Sequence, residues 1–166
     1  MNEPVRRWRV AGTDLLLGLA EHVPVEVYGM GMAALAEHGG AAAAAGHPLV
    51  LHDDVPQDAM HTLLAGDRAY FHPYRWTSLG LSLLEAMALG LPVLALSTTA
   101  APESVPPDAG LVTNDLHAIR TAARRWLHDP AEARERGLAG RAHVLGRFGL
   151  GRFEDDWQRL LKEVTR

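Results

Sequence analysis

Five short apolar runs, each separated from the next by longer segments of helical periodicity, constrain this chain more than any other feature. The runs are Val25-Glu26-Val27-Tyr28, Pro48-Leu49-Val50-Leu51, Ala69-Tyr70-Phe71-His72, Pro92-Val93-Leu94-Ala95-Leu96 and Gly110-Leu111-Val112. Runs this short, rich in β-branched and aromatic residues and bounded by Gly or Pro, read as buried strands. The segments around them read as helices: Asp14 to Ala20 opened by Thr13 as a cap, Met32 to Glu37, Gln57 to Ala65, Leu81 to Leu89, Leu116 to His128, and a tail from Pro130 onward, while Ala41 to Ala45 after Gly39-Gly40 reads as a helix end or as a short helix capped by Gly46. Pro130 suits a first helical turn, where its missing N–H is no loss. A last helix spans about 154–164, with Phe153, Trp157, Leu160, Leu161 and Val164 on one stripe.

Alternation of this kind demands parallel pairing, because each strand must be re-entered from the same end through a crossover. The expected fold is therefore α/β: a doubly wound, Rossmann-like parallel sheet with helices on both faces, filling residues 1–166 as one domain. Such sheets bind ligands beyond the carboxyl ends of their strands. That rule directs attention to Gly29–Gly31, His52–Asp54, Pro73–Gly80 and Ser97–Glu103.

Composition narrows the function. With 166 residues and 48% hydrophobic content the chain is long enough to bury a core, and it has no cysteine, so disulfides and Cys-ligated metals are excluded. Sixteen Lys and Arg against twenty Asp and Glu give a net charge of −4, which argues against nucleic acid as a partner. No apolar run is long enough to span a membrane, and the N-terminus lacks a secretory pattern, so the expected location is cytoplasmic. Lys162 is the sole lysine, and with abundant Ala and Gly this suggests a GC-rich bacterial source. Arg6, Arg7 and Arg9 cluster within four positions and read either as a solvated segment or as an anion-contacting loop. None of the nine histidines forms a metal-ligand spacing, and neither a nucleophile elbow nor a P-loop is present.

Two segments carry chemistry. Gly29-Met30-Gly31-Met32-Ala33-Ala34 fits the loose G-x-G-x-x-A dinucleotide pattern, with Asp53 and Asp54 near the spacing of a ribose-binding acid. This keeps an NAD-type dinucleotide-binding domain open. The second is Thr77 to Val93, where a polar turn opens an apolar helix whose free N–H groups and dipole suit an anion. Gly80 removes a Cβ where a ligand would approach the backbone. Glu85 is a lone carboxylate inside Leu81–Leu89, either solvated or offered to a ribose diol. On a continuous helix Ser78 and Glu85 would share one face, roughly 10 Å apart.

Thr77 to Val93 resembles the donor-binding half of family 4-like, retaining glycosyltransferases of the GT-B fold. Gly80-Leu81, Glu85-Ala86-Met87-Ala88, Gly90 and Pro92-Val93 match the family stretch E-G-F-G-L-x-x-x-E-A-M-A-x-G-x-P-V. Gly12 to Leu16, Val25 to Gly31, Ala101 to Val105, Gly110 to Val112 and Arg147-Phe148 add supporting similarity. The resemblance implies that Glu85 holds the ribose of a nucleoside-diphosphate sugar, that backbone at Leu79, Gly80 and Leu81 faces the sugar or diphosphate, and that His52–Val55 lies near the base. Gly29 and Gly31 belong to the strand-plus-glycine turn of the same pocket. The family's diphosphate-binding Lys corresponds to Ala11, leaving Arg7 or Arg9 to substitute through bidentate phosphate contacts. Thr77 replaces the first Glu of the family pair, at the position facing the donor sugar. The implied activity is sugar transfer to an unknown acceptor without a cofactor or metal, with an N-terminal Rossmann-like domain as the missing other half. A non-catalytic nucleotide-sugar-binding module is the alternative that Thr77 raises.

Overall fold

The computed structural model describes residue 1 and residues 3–165. In chain order the elements are α1 (Trp8–Ala11), α2 (Thr13–Ala20), β1 (Val25–Gly29), α3 (Met32–Ala36), α4 (Gly40–Ala44), β2 (Leu49–Asp53), α5 (Gln57–Leu64), β3 (Tyr70–His72), α6 (Leu81–Ala88), β4 (Val93–Ala95), α7 (Ala101–Ser104), β5 (Gly110–Val112), α8 (Leu116–His128), α9 (Pro130–Arg147) and α10 (Leu150–Val164). The fold is α/β, with all strand pairs parallel. The sheet is hydrogen-bonded in two pieces, β1 with β2 and β3-β4-β5, rather than as one continuous ladder.

β1 and β4 are covered on both faces, as continuous apolar runs require, while Val50 of the outer strand β2 is 40% exposed. On β4, Val93 and Ala95 pack with Leu83 and Met87 of α6 and Val144 of α9. The intervening Leu94, with Leu96 just beyond the strand, packs on the other side with Ile119, Ala122 and Trp126 of α8. This is the period of two expected of a strand. On β1, Val27 packs with Leu16 of α2 and Leu35 of α3. Its neighbour Tyr28 turns to Leu64 of α5 and Ala86 of α6.

The helix ends follow local chemistry. Asp115 accepts from the N–H groups of His117 and Ala118 at 2.8 and 3.3 Å and starts α8. Asp129 does the same for Ala131 and Glu132, with Pro130 in the first turn of α9. Thr13 is not the cap of α2: Gly12 holds that position at φ 72°, and Thr13 is buried, donating to the Pro4 carbonyl at 2.7 Å. The last helix starts at Leu150, four residues before the expected start at 154, and among its described residues none is buried.

Candidate functional site

Two adjoining cavities lie beside β1 and β3, one at the carboxyl ends of the strands and one along their length. One is a cleft of about 380 Å3 bounded by Gly29 and Met30 after β1, Asp54 and Val55 after β2, Gln57 at the start of α5, Tyr74 after β3 and Ser82 in the first turn of α6; Arg7 stands on its wall. The other, of about 340 Å3, includes Glu85 and shares Tyr28, Met60, Tyr74 and Ser82 with the first.

The Glu85 carboxylate sits one turn beyond Ser82 on α6 and is one-third exposed. Gln57 donates from Nε2 to Glu85 Oε1 at 3.3 Å. His61, one turn further along α5, brings Nε2 to 3.7 Å from Oε2, and that nitrogen has no hydrogen-bond partner among the described residues. Ser82 is held by Tyr70, whose hydroxyl is 2.9 Å from Ser82 Oγ. Burial pushes the Tyr70 hydroxyl far above its ordinary range, so it stays protonated and available for that bond.

The start of α6 differs from its sequence reading. Gly80 adopts φ 71° as the residue before the helix, so Ser78 lies outside it and does not share a helical face with Glu85. A Cβ on Gly80 would lie 3.0 Å from the His72 ring, so the room gained there is taken by the imidazole. His72 is buried, and desolvation lowers its pKa to about 4, which leaves the ring neutral. Among the described residues no side-chain hydrogen bond caps α6, and Leu81 at its first turn is 70% exposed. Leu79, Gly80, Leu81 and Thr77 line neither cavity, and Thr77 is half-buried.

The glycine turn after β1 is already engaged. The N–H groups of Gly31 and Met32 both donate to Asp53 Oδ1, at 3.0 and 3.2 Å. Asp53 therefore caps the short α3 from within the chain, in the place a pyrophosphate would take in the dinucleotide reading. Gly29, at φ 154°, is required because a Cβ there would collide with the Met1 backbone. His52 turns back to the sheet, stacking on Tyr28 at 4.5 Å and meeting Glu26 at 2.8 Å, while Asp54 and Val55 reach the cleft. Of the two arginines, Arg7 lines the cleft; Arg9 is exposed and contributes its carbonyl to Arg75 at 2.9 Å. Gln57, His61 and Tyr74 complete the surroundings. The strand-end rule, carried three residues past Asp54, would have found Gln57. Among the described residues no three His, Cys, Asp or Glu side chains group to hold a metal ion, and no helix is long and apolar enough to cross a membrane.

Comparison with known proteins accords with this architecture. The chain is 38% identical to the GDP-mannose-dependent monoacylated alpha-(1-6)-phosphatidylinositol monomannoside mannosyltransferase of Corynebacterium glutamicum, over 53% of this chain and 25% of that protein. It is 39% identical to O-antigen chain mannosyltransferase B of Escherichia coli, over 51% of this chain and 23% of that protein. The chain thus spans a quarter or less of the curated relatives it matches. Sucrose-phosphate synthase from Thermosynechococcus elongatus shares the fold, with a TM-score of 0.78 at 21% identity over 95% of this chain and 43% of that one. The profile of the family described as glycosyl transferases group 1 matches residues 14–129, and the chain belongs to that family.

Proposed function

We propose that this chain is the donor-binding half of a GT-B glycosyltransferase, and that it holds a nucleoside-diphosphate sugar in the cleft beyond β1, β2 and β3. The observation that carries this reading is that Arg7 and Ser82, in the first turn of α6, line the cleft, while the Gln57-held Glu85 carboxylate lines the adjoining cavity that shares Ser82. A guanidinium and free helix N–H groups suit a diphosphate; a carboxylate suits a vicinal diol. The two mannosyltransferase relatives, one of them GDP-mannose-dependent, point to GDP-mannose as the first donor to test. The reaction would break the bond between the sugar and the diphosphate. This chain's part is electrostatic: Arg7 and the α6 amides stabilise charge growing on the leaving diphosphate. The acceptor would sit against a second, N-terminal Rossmann-like domain.

Calorimetric titration with GDP tests the reading. Binding is expected, with Glu85→Ala weakening it on the order of tenfold, the loss of one charge-assisted contact. Unchanged affinity in that variant removes Glu85 from the site. Thr77 supports a second reading, a binding module without turnover, since an uncharged hydroxyl stands outside both cavities where the resemblance expects a carboxylate. Turnover by the full-length protein with Thr77 intact eliminates it.

A further inference from the structure

Helix α5 turns one face toward β1 and α6. Leu64 packs with Tyr28 and Ala86, Met60 joins them, and this apolar seam fixes α5 beside α6. Gln57 and His61 stand one helical turn apart on the flank of that seam. Both meet one side chain, the Glu85 carboxylate: Gln57 donates from Nε2 to Oε1 at 3.3 Å, and His61 Nε2 lies 3.7 Å from Oε2. Their places differ. Gln57 lines the cleft, whereas His61 lines neither cavity. The His61 side chain is 31% exposed, yet its Nε2 is closed off from solvent and has no hydrogen-bond partner among the described residues. That atom is therefore the inward end of the ring, aimed at Glu85 from outside the cavity.

A lone buried N–H is costly, and a nearby acceptor is the usual remedy. The gap to an ordinary N–H···O bond is about 0.7 Å, and the terminal torsion of a glutamate is soft enough to close it. The same softness means that one partner cannot hold the carboxylate. With Oε1 alone tied to Gln57, the group still swings about that contact; a second tie at Oε2 fixes its plane. A carboxylate offers about two lone-pair sites on each oxygen. When α5 takes one site on each, one on each is left for the cavity. A vicinal diol brings two O–H donors, one for each oxygen.

We infer, on the reading that the donor's ribose meets Glu85, that His61 is a positioning residue for sugar recognition: in its Nε2–H form it fixes Oε2 of Glu85, so that the carboxylate takes both ribose hydroxyls together and rejects a sugar that lacks one. His61 touches no ligand and acts only through Glu85. Without it the carboxylate keeps its charge and its Gln57 contact, and it still accepts one hydroxyl. What is lost is the second, simultaneous hydrogen bond. Affinity for a ribonucleotide therefore falls toward that for its 2′-deoxy analogue, while the analogue's own affinity hardly moves.

Calorimetric titration of the 166-residue chain with GDP and with 2′-deoxy-GDP tests this role. The parent is expected to prefer GDP by about tenfold, the worth of one hydrogen bond to a charged group. His61→Leu is expected to cut that preference to about threefold or less, through weaker GDP binding at nearly unchanged 2′-deoxy-GDP binding. His61→Gln carries an N–H donor of similar reach and is expected to keep most of the preference. In the Glu85→Ala background the preference, and any effect of His61→Leu, should vanish. Both nucleotides weakened alike in the Leu and Gln variants would mark a packing defect and overturn the role, as would an effect of His61→Leu that persists with Glu85→Ala. A parent that binds GDP, loses its preference with Glu85→Ala and keeps it with His61→Leu overturns the role of His61 alone. A parent that binds the two nucleotides equally takes the diol away from Glu85, and one that binds neither overturns the donor reading; the role falls in both cases.

Discussion

Arg75 grips Asp14 with both arms of its guanidinium, Nη1 to Oδ1 at 2.7 Å and Nη2 to Oδ2 at 2.8 Å. Nη1 also reaches the Arg9 carbonyl, and the Arg75 N–H donates to the Val10 carbonyl at 3.0 Å. The loop after β3, which carries Tyr74 and Thr77, is thereby tied to α1 and α2, next to Arg7. Arg75→Lys keeps the charge and loses the fork. It is expected to lower stability by about 1 kcal/mol, because the pair is only partly buried, and to weaken GDP binding several-fold. Denaturant midpoints and calorimetry read the two effects, and an unchanged GDP affinity would mean the tie does not shape the cleft. The Arg75 hydrogen bond holds the Asp14 carboxyl below its ordinary value. A depressed carboxylate stabilises above its unfolded pKa, near 4, and loses that contribution as pH falls through the lower folded value, so the gap between parent and variant should close in acid.

Asp67 has the opposite sign. Burial, and next the charge of Glu26, raise its carboxyl to about 6, although the Tyr28 hydroxyl at 3.5 Å partly relieves this. A carboxyl raised in the folded state stabilises fully only below its unfolded pKa and loses that contribution as pH rises through about 6. Asp67→Asn removes the penalty. It should stabilise the chain at pH 8 by about 1 kcal/mol, after allowing for its partial exposure to solvent, and change little at pH 4. Thermal melts across that window check it; equal shifts at both pH values would contradict the assignment.

How much of this was legible in the sequence depended on range. All five strands were, because a buried parallel strand writes a short apolar run, and α8 was legible from Leu116 to His128 because its period persists over thirteen residues. The four-residue α1 and α7 are too short to show a period. Glu85 stood out as a carboxylate in an apolar helix, and it does face a cavity. Its partner Gln57 lies twenty-eight positions away, a contact that only the crossover from β2 through α5 creates. Asp53, which with Asp54 stands at the spacing of a ribose-binding acid in the dinucleotide alternative, caps α3, since a short acid after a strand serves either purpose equally well. The break between β1 and β3 leaves no mark at all, because strand patterns record burial and not the identity of the neighbouring strand.

Gly137 marks where the Arg-rich tail becomes part of the core. A Cβ there would come within 1.8 Å of the Gly90 carbonyl oxygen, so α9 crosses the turn between α6 and β4 backbone to backbone. Backbone atoms cannot rotate away as a side-chain tip can. Gly137→Ala, normally favourable inside a helix, is therefore expected to destabilise by about 2–4 kcal/mol, the overpacking and shift outweighing its helix propensity. Gly146→Ala on the same helix, where nothing lies within 4 Å, serves as the control and should be neutral or stabilising. Equal effects at both positions would show that α9 is not seated on that turn.

Gln57 tests the geometry around Glu85 without touching Glu85 itself. It lines the cleft and donates to the Glu85 carboxylate at 3.3 Å, while His61 approaches the other oxygen. Gln57→Leu removes the donor and leaves the carboxylate free to turn, so GDP affinity is expected to fall about three- to tenfold, the worth of one hydrogen bond to a charged group. Gln57→Glu is nearly isosteric but sets two carboxylates side by side, which raises the pKa of the pair. Its GDP affinity should fall further than that of the Leu variant at pH 8 and recover toward pH 5 as the pair takes up a proton. Both variants should melt close to the parent, because the bond lies at the exposed edge of the cavity. The order Leu above Glu at pH 8, reversed or levelled at pH 5, separates loss of positioning from mere loss of packing. Two variants that bind GDP alike at both pH values would place the Glu85 carboxylate outside the ligand's reach.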